Sequence, residues 1–268
     1  MGQKRVAVMS NAGGTGKSTA TVNVAYQLAR LGKSVCMLGC DPNGSLTLFT
    51  GLLDPDDAET LDRVLTPDFD GRWPLFSVWR DRIGGIDACL GGLVLVESAK
   101  RIDKESRGSY LLADALEDAP LPHDVVLIDC PGTIERYHEV ALGASTDVLV
   151  VIRPVDKDVD AGFKLLDWIY RTRKSLRLKP TPEILGVCIN GYRKDLAMHR
   201  DNMGDDPERS LPLALQGMGI HMFPPIRETA HLANASASGL PLGIWRPGED
   251  ANESFRAIAK AILSVEGK

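Results

Sequence analysis

The sequence predicts an α/β fold, a mostly parallel twisted sheet with helices on both faces. Short, continuously apolar runs recur along the chain, and helical segments fall between most of them. Strands apolar at consecutive positions are covered on both faces, the habit of parallel sheets with flanking helices. A third observation points to a site. In such sheets ligands bind beyond the carboxyl ends of the strands. The conspicuous polar residues Lys17, Ser18, Asp41 and Asp129 all follow or close such runs.

In chain order, RVAVMS (Arg5–Ser10) reads as a buried strand that runs straight into a glycine loop. A helix follows from Lys17, with Val24, Leu28 and Leu31 at helical spacing, and Gly32 ends it. SVCMLGCD (34–41) is a second strand, GLVLVES (92–98) a third and DVVLIDCPG (124–132) a fourth. DVLVVIRP (147–154), EILGVCIN (183–190) and IHMFPPI (220–226) complete the set. Tyr110–Leu116, Ile134–Leu142 and Ala161–Leu176 read as helices. No internal repeat, low-complexity tract or linker interrupts the series, so 1–268 reads as one domain.

Composition narrows the function. Hydrophobic content of 44% and charged content of 25% are those of an ordinary soluble globular protein. The net charge of −5 carries no whole-chain basic footprint, so any nucleic-acid surface must be local. Cys36, Cys40, Cys89, Cys130 and Cys188 form no C-x-x-C pair and no zinc-spaced cluster; they read as reduced, buried thiols. No secretory signal is legible, and no apolar run reaches the roughly 18 residues of a membrane span.

The chemistry is concentrated in SNAGGTGKST (Ser10–Thr19). Gly13, Gly14 and Gly16 let the backbone turn tightly around Thr15 and aim its N–H groups inward. The helix that follows adds its positive end, making an anion cradle. Lys17 is then placed to reach the β- and γ-phosphates, and the Ser18 hydroxyl to ligate Mg²⁺. The usual spelling G-x-x-x-x-G-K-[ST] is not met, because Asn11 stands where its first glycine belongs. A magnesium nucleotide also needs a hard oxygen ligand and a group that positions the attacking water. Asp129, closing the fourth strand, suits the first role; Asp41, stopped by Pro42, suits the second. Either residue could instead cap a helix or shape a turn.

GGTGKST, DPNGS and LIDCPG together resemble the deviant Walker ATPases of the ParA/MinD type. The resemblance covers nearly the whole chain, including FPPIRETAHLANASASGLPLG near its end. It implies a P-loop NTPase fold, MgATP as cofactor, an ATP-dependent sandwich homodimer, and slow hydrolysis stimulated by a ParB-like or other adaptor protein. By position it assigns Lys17, Ser18 and Thr19 to phosphates and Mg²⁺, Asp41 to the water, and Asp129 to the Walker B acid. Asn190 falls near the adenine, and Pro224, Pro225 and the residues up to Arg227 follow the strand whose loop lines the base. The chain departs twice. The family loop K-G-G-x-G-K-[ST] begins with a lysine that crosses to the partner's phosphates, and Ala12 stands there. The family's D-x-D-P has Gly39 for its first aspartate. McdA-like members, which position carboxysomes, also lack the loop lysine and supply one from later in the chain. Lys157, in RPVDKDVDAG, is the candidate here, with a solvated loop charge as the other reading.

The DNA-binding members of the family grip the nucleoid without sequence preference. RTRKSLRLK carries Arg171, Arg173, Lys174, Arg177 and Lys179 with no acidic residue; together with Arg227 these are the candidate nonspecific DNA contacts. The alternative is a solvated basic helix end, favoured by the dipole. In the tail, Phe255, Ile258, Ile262 and Val265 share one helical face, and its balanced charge suits packing on the sheet better than a membrane. FDGRWPLFSVWRD (69–81) gathers four aromatics, either for a partner or for local packing. The leading expectation is a cytoplasmic, nucleoid-associated ParA-like ATPase that positions DNA or a large cargo. The alternatives are an ATP-dependent ligase of the dethiobiotin-synthetase kind and, given Ala12 and Gly39, a nucleotide switch that scarcely hydrolyses.

Overall fold

The computed structural model describes residues 2–264. Its strands are β1 (Lys4–Met9), β2 (Val35–Gly39), β3 (Phe76–Ser77), β4 (Ile86–Cys89), β5 (Val125–Asp129), β6 (Asp147–Ile152), β7 (Glu183–Tyr192) and β8 (Ile226–Arg227). They form one eight-stranded sheet in the order β3-β4-β2-β5-β1-β6-β7-β8. Every pairing is parallel except that of the short edge strand β3 with β4. The helices are α1 (Lys17–Arg30), α2 (Ser45–Thr50), α3 (Val94–Ile102), α4 (Leu111–Asp118), α5 (Arg136–Ala144), α6 (Asp156–Ser175), α7 (Ala197–Met203), α8 (Leu211–Gly217), α9 (Ala230–Ala237), α10 (Leu242–Trp245) and α11 (Ala251–Ser264).

The period-two alternation of a strand divides the apolar side chains between two cores. In β1, Val6 and Val8 point into the layer of α1 and α11, while Ala7 and Met9 point into the layer of α3, α4, α5 and α6. Both layers are apolar, which is why β1, β2, β5 and β6 show no polar face for most of their length. The aliphatic face of α11 lies in the first layer, with Phe255, Ile258 and Ile262 buried; Val265 lies outside the described residues. The late SGLPLG segment clamps α1, since Leu242 N donates to Asn23 Oδ1 (2.7 Å) and Tyr26 Oη–H to Gly243 O (3.1 Å).

The stretch 92–98 is not a strand. Gly91 and Gly92 end the preceding segment, and α3 then buries Leu95, Ser98 and Ile102 at helical spacing, leaving Leu93 and Val96 exposed. A strand buried on both faces would have covered all of them. The sheet position belongs instead to β4, whose apolar run is broken by Asp87 and therefore gives no clean strand pattern. Of 220–226, only Met222 bridges to Val187 and Ile226 enters β8, because Pro224 and Pro225 bring no N–H to a ladder. The helix expected over 161–176 begins earlier, at Asp156. The aromatic segment packs within the chain: Trp73 Nε1–H donates to Ala119 O (2.8 Å) and Trp79 Nε1–H to Gly239 O (2.7 Å).

Candidate nucleotide site

The loop from Ser10 to Gly16 joins β1 to α1 at the carboxyl edge of the sheet. Gly14 and Gly16 have φ of +70° and +95°, a region that side chains other than glycine rarely adopt. At Gly16 there is also no room. The Asn190 amide at the end of β7 donates to Thr15 O (2.8 Å), and a Cβ on Gly16 would lie 2.0 Å from that Nδ2. Gly13 and Gly14 are exposed and face open space, so the front of the cradle is accessible. On the other side the backbone of Gly13 touches Gly132, where a Cβ would sit 3.0 Å from the Gly13 Cα.

Parallel pairing of β1 with β5 sets Val8 beside Asp129 and brings the acid under the start of α1. Ser18 Oγ–H donates to Asp129 Oδ2 at 2.6 Å, and Thr21 Oγ1–H to Oδ1 at 3.3 Å. Asp129 is fully buried, and burial pushes its carboxyl up to about 6 against the Ser18 hydrogen bond and the Lys17 charge, which pull it down. Lys17 is buried as well; desolvation lowers its pKa, offset in part by Asp129. Its Nζ donates to Ser10 Oγ at 3.0 Å. A buried ammonium bonded to a hydroxyl and facing a carboxylate charge, under an open glycine loop, fits a phosphate chain with Mg²⁺. The metal ligands available from the chain are hard oxygens, Ser18 Oγ and Asp129.

Asp41 stands at the end of β2, and its Oδ1 accepts from Asn43 N and Nδ2, both at 2.9 Å. It therefore shapes the DPNG turn while facing the same edge as Lys17. Gly39 has a steric reason for its identity. A Cβ there would lie 2.8 Å from Gly91 N, and one on Gly91 would lie 2.4 Å from Gly39 O, so the two strand ends touch through bare backbone. No aspartate fits at 39 in this arrangement.

Beyond the ends of β7 and β8, Tyr192–Asp195 and Arg227–Ala230 line an open cavity of about 400 Å³. Pro224 is exposed and Pro225 half-buried, just before β8.

Residues 3–179 match the AAA domain family. The chromosome partitioning protein ParA of Caulobacter vibrioides is 30% identical over 190 residues, covering 70% of this chain and 69% of ParA. The chain belongs to the ParA/MinD-type deviant Walker ATPases. The fold of this ParA-type chain is shared with solved structures at lower identity. McdA of Cyanothece in complex with ATP superposes with a TM-score of 0.82 at 20% identity, over 99% of this chain and 98% of that one. MinD of Pyrococcus horikoshii complexed with Mg-ADP gives 0.75 at 19% identity, over 99% and 98%.

Within this ParA-type fold the loop, Asp41, Asp129 and Asn190 come together at one edge, and the other candidates lie further out. Lys157 is the second residue of α6, exposed, on the same carboxyl edge as the loop because β6 adjoins β1. Arg171, Arg173, Lys174, Arg177 and Lys179 lie at the opposite end of α6 and in the turn after it. Arg227 is separate from them, at the carboxyl end of β8, where it lines the open cavity. The expected DNA-binding set is thus split into one cluster, 171–179, and the single Arg227 at the opposite edge of the sheet. Two residues of the loop's surroundings were not legible in the sequence. Ser10 reads as the end of a strand and the first residue of the loop, with no role of its own, and His138, whose Nε2–H donates to Ser10 O (3.1 Å), sits in a helix far along the chain with no motif around it.

Proposed function

We propose that this chain is a Mg²⁺-dependent ATPase, acting as one domain over 1–268, that dimerises with ATP, binds DNA without sequence preference and positions DNA or a large cargo. The observation that supports it is the convergence of Lys17, Ser18 and Asp129 beneath the glycine loop, with Ser18 Oγ 2.6 Å from Asp129 Oδ2. Gly13 to Gly16 cradle the phosphates through backbone N–H groups, and Thr19 adds a hydroxyl at the first turn of α1. Lys17 reaches the β- and γ-phosphates, while Ser18 and Asp129 hold Mg²⁺, which neutralises phosphate charge when bound. Asp41 orients the attacking water. Asn190, Pro224 and Pro225 lie toward the adenine. With Ala12 in the loop, Lys157 supplies the charge that crosses to the partner's phosphates. Arg171, Arg173, Lys174, Arg177, Lys179 and Arg227 meet DNA, and an adaptor protein stimulates turnover in the cytoplasm, on the nucleoid.

The test is ATP turnover with and without Mg²⁺, joined to size-exclusion chromatography of Asp41→Ala and cosedimentation with nonspecific DNA at low salt. Expected are Mg²⁺-dependent turnover, an ATP-trapped Asp41→Ala dimer and DNA binding only with ATP. Lack of DNA binding in every nucleotide state removes the nucleoid part of the reading. An unchanged dimer and unchanged turnover in Lys157→Ala remove the trans-acting lysine.

A further inference from the structure

Ser10 and His138 lie outside the residues that the phosphate-site pattern assigns, yet they are tied to its lysine. His138 is fully buried in α5. Because a carbonyl only accepts, the 3.1 Å contact with Ser10 O fixes the imidazole proton on Nε2. Its Nδ1 is buried without a partner, and the ring stands edge-on to Trp168 of α6 at 6.0 Å and 87°. A buried ring with one unanswered nitrogen costs stability, so packing alone is a poor account of a histidine there. Ser10, at the other end of that bond, uses the whole capacity of its hydroxyl. It accepts from Lys17 Nζ and from Thr15 Oγ1, both at 3.0 Å, and donates to Ala12 O at 2.8 Å.

We propose that Ser10 and His138 are positioning residues that set the place of the Lys17 ammonium through the chain His138 Nε2–H to Ser10 O and Lys17 Nζ–H to Ser10 Oγ. The proposal rests on the reading of Lys17 as a phosphate ligand. An ammonium has three donors; with one on Ser10, two are left to face the cradle. Without the Ser10 acceptor, the strongest opposite charge acting on Lys17 is Asp129. Pairing there would draw the ammonium toward the carboxylate that Ser18 engages. His138 acts one step back, by holding the Ser10 peptide so that its hydroxyl faces the loop interior. Behind its open front, the loop is held at two further points by the segment after β5, through Asn11 Oδ1, which accepts from Ile134 N (3.3 Å), and through Gly13 against Gly132.

Lysine-selective ¹H–¹⁵N NMR of the nucleotide-free full chain tests the pairing directly. Wild type is expected to show a slowly exchanging ammonium resonance that Lys17→Arg removes. Ser10→Ala should broaden it beyond detection and Ser10→Thr restore it; His138→Leu should shift it and His138→Gln, with a donor near the Nε2 position, keep it. Should Ser10→Ala not fold, Ser10→Cys, nearly equal in volume and a weak acceptor, takes its place. In turnover assays Ser10→Ala is expected to lower kcat about tenfold with KM changed less than about threefold, and Ser10→Thr to recover kcat. A Lys17 resonance indifferent to Ser10 substitution in a folded protein, or its absence from wild type, overturns the proposal. So does a kcat loss that Ser10→Thr does not recover. If the NMR behaves as expected but wild type neither binds nor hydrolyses MgATP, the phosphate-ligand reading fails and the pairing stands.

Discussion

The phosphate cradle and the basic segment 171–179 are both candidate anion sites, and they are built in opposite ways. In the cradle Lys17, Ser18 and Asp129 are 6%, 7% and 0% exposed, and each polar side chain has a named partner. At the far end of α6, about 30 Å of helix away from the carboxyl edge, Arg171, Lys174, Arg177 and Lys179 are exposed. Arg171 pairs with Asp167 one turn earlier (2.8 Å), and Arg173 lies over the Tyr170 ring at 4.4 Å. A desolvated ammonium interacts strongly and answers to one geometry, whereas exposed cations are screened by salt and tolerate many partners. The first arrangement suits a defined phosphate chain; the second suits a surface that reads charge alone.

The largest effect that sharpens this contrast is expected from Lys17→Ala. Loss of a preorganised cation at the transferring phosphoryl group should cost on the order of 10²-fold or more in kcat, read from steady-state turnover. Next comes acid sensitivity. Burial pushes the His138 imidazole down to about 4 from 6.5. The unfolded chain therefore takes up a proton that the folded chain refuses, and stability is lost as pH falls from 6.5 to 4. The full loss is roughly 3 kcal/mol by linkage. Urea unfolding of wild type and His138→Gln across that range should show the gap between them closing or reversing toward acid; parallel curves break the assignment. Gly16→Ala should destabilise by roughly 1–3 kcal/mol, because it meets both a positive φ and the Asn190 amide. Thermal melts check it, and Asn190→Ala should relieve part of the loss. The smallest effect on stability is expected at the other site. Arg171→Ala, Lys174→Ala and Lys179→Ala together should change unfolding free energy by only about 0.5 kcal/mol each at most. The same substitutions should weaken DNA binding and flatten its salt dependence. A triple variant that melts much earlier would place these side chains in structure rather than on a binding surface.

Much of the fold was legible because its central strands are short, contiguous and apolar on both faces. β1, β2, β5, β6 and β7 fall within a few residues of their expected limits for that reason. β4 was not, since Asp87 interrupts it; that carboxylate is answered by Ser77 Oγ–H (2.7 Å) on the adjoining strand and by His123 Nε2 (2.9 Å), 36 residues on. The run at 93–96 was misread because four aliphatic residues in a row suit a strand or a helix equally, and length could not arbitrate. The aromatic segment left a partner surface and local packing both open, because composition does not show which backbone carbonyls wait for an indole N–H.

By itself the sequence determined the make-up of the glycine loop. Its glycines, Lys17 and Ser18 lie within a few residues of one another, and backbone geometry between near neighbours follows from local sterics. It also carried the departures at Ala12 and Gly39, as plain identities. Only the tertiary structure decided what Gly39 and the loop residues are set against. Gly39 is bare because Gly91 lies against it, Gly16 because Asn190 reaches Thr15 from 175 residues away, and Lys17 is held by a serine whose peptide is fixed from His138, 128 residues on. Such contacts depend on strand order and register to within tenths of an ångström, and no local pattern of residues records them.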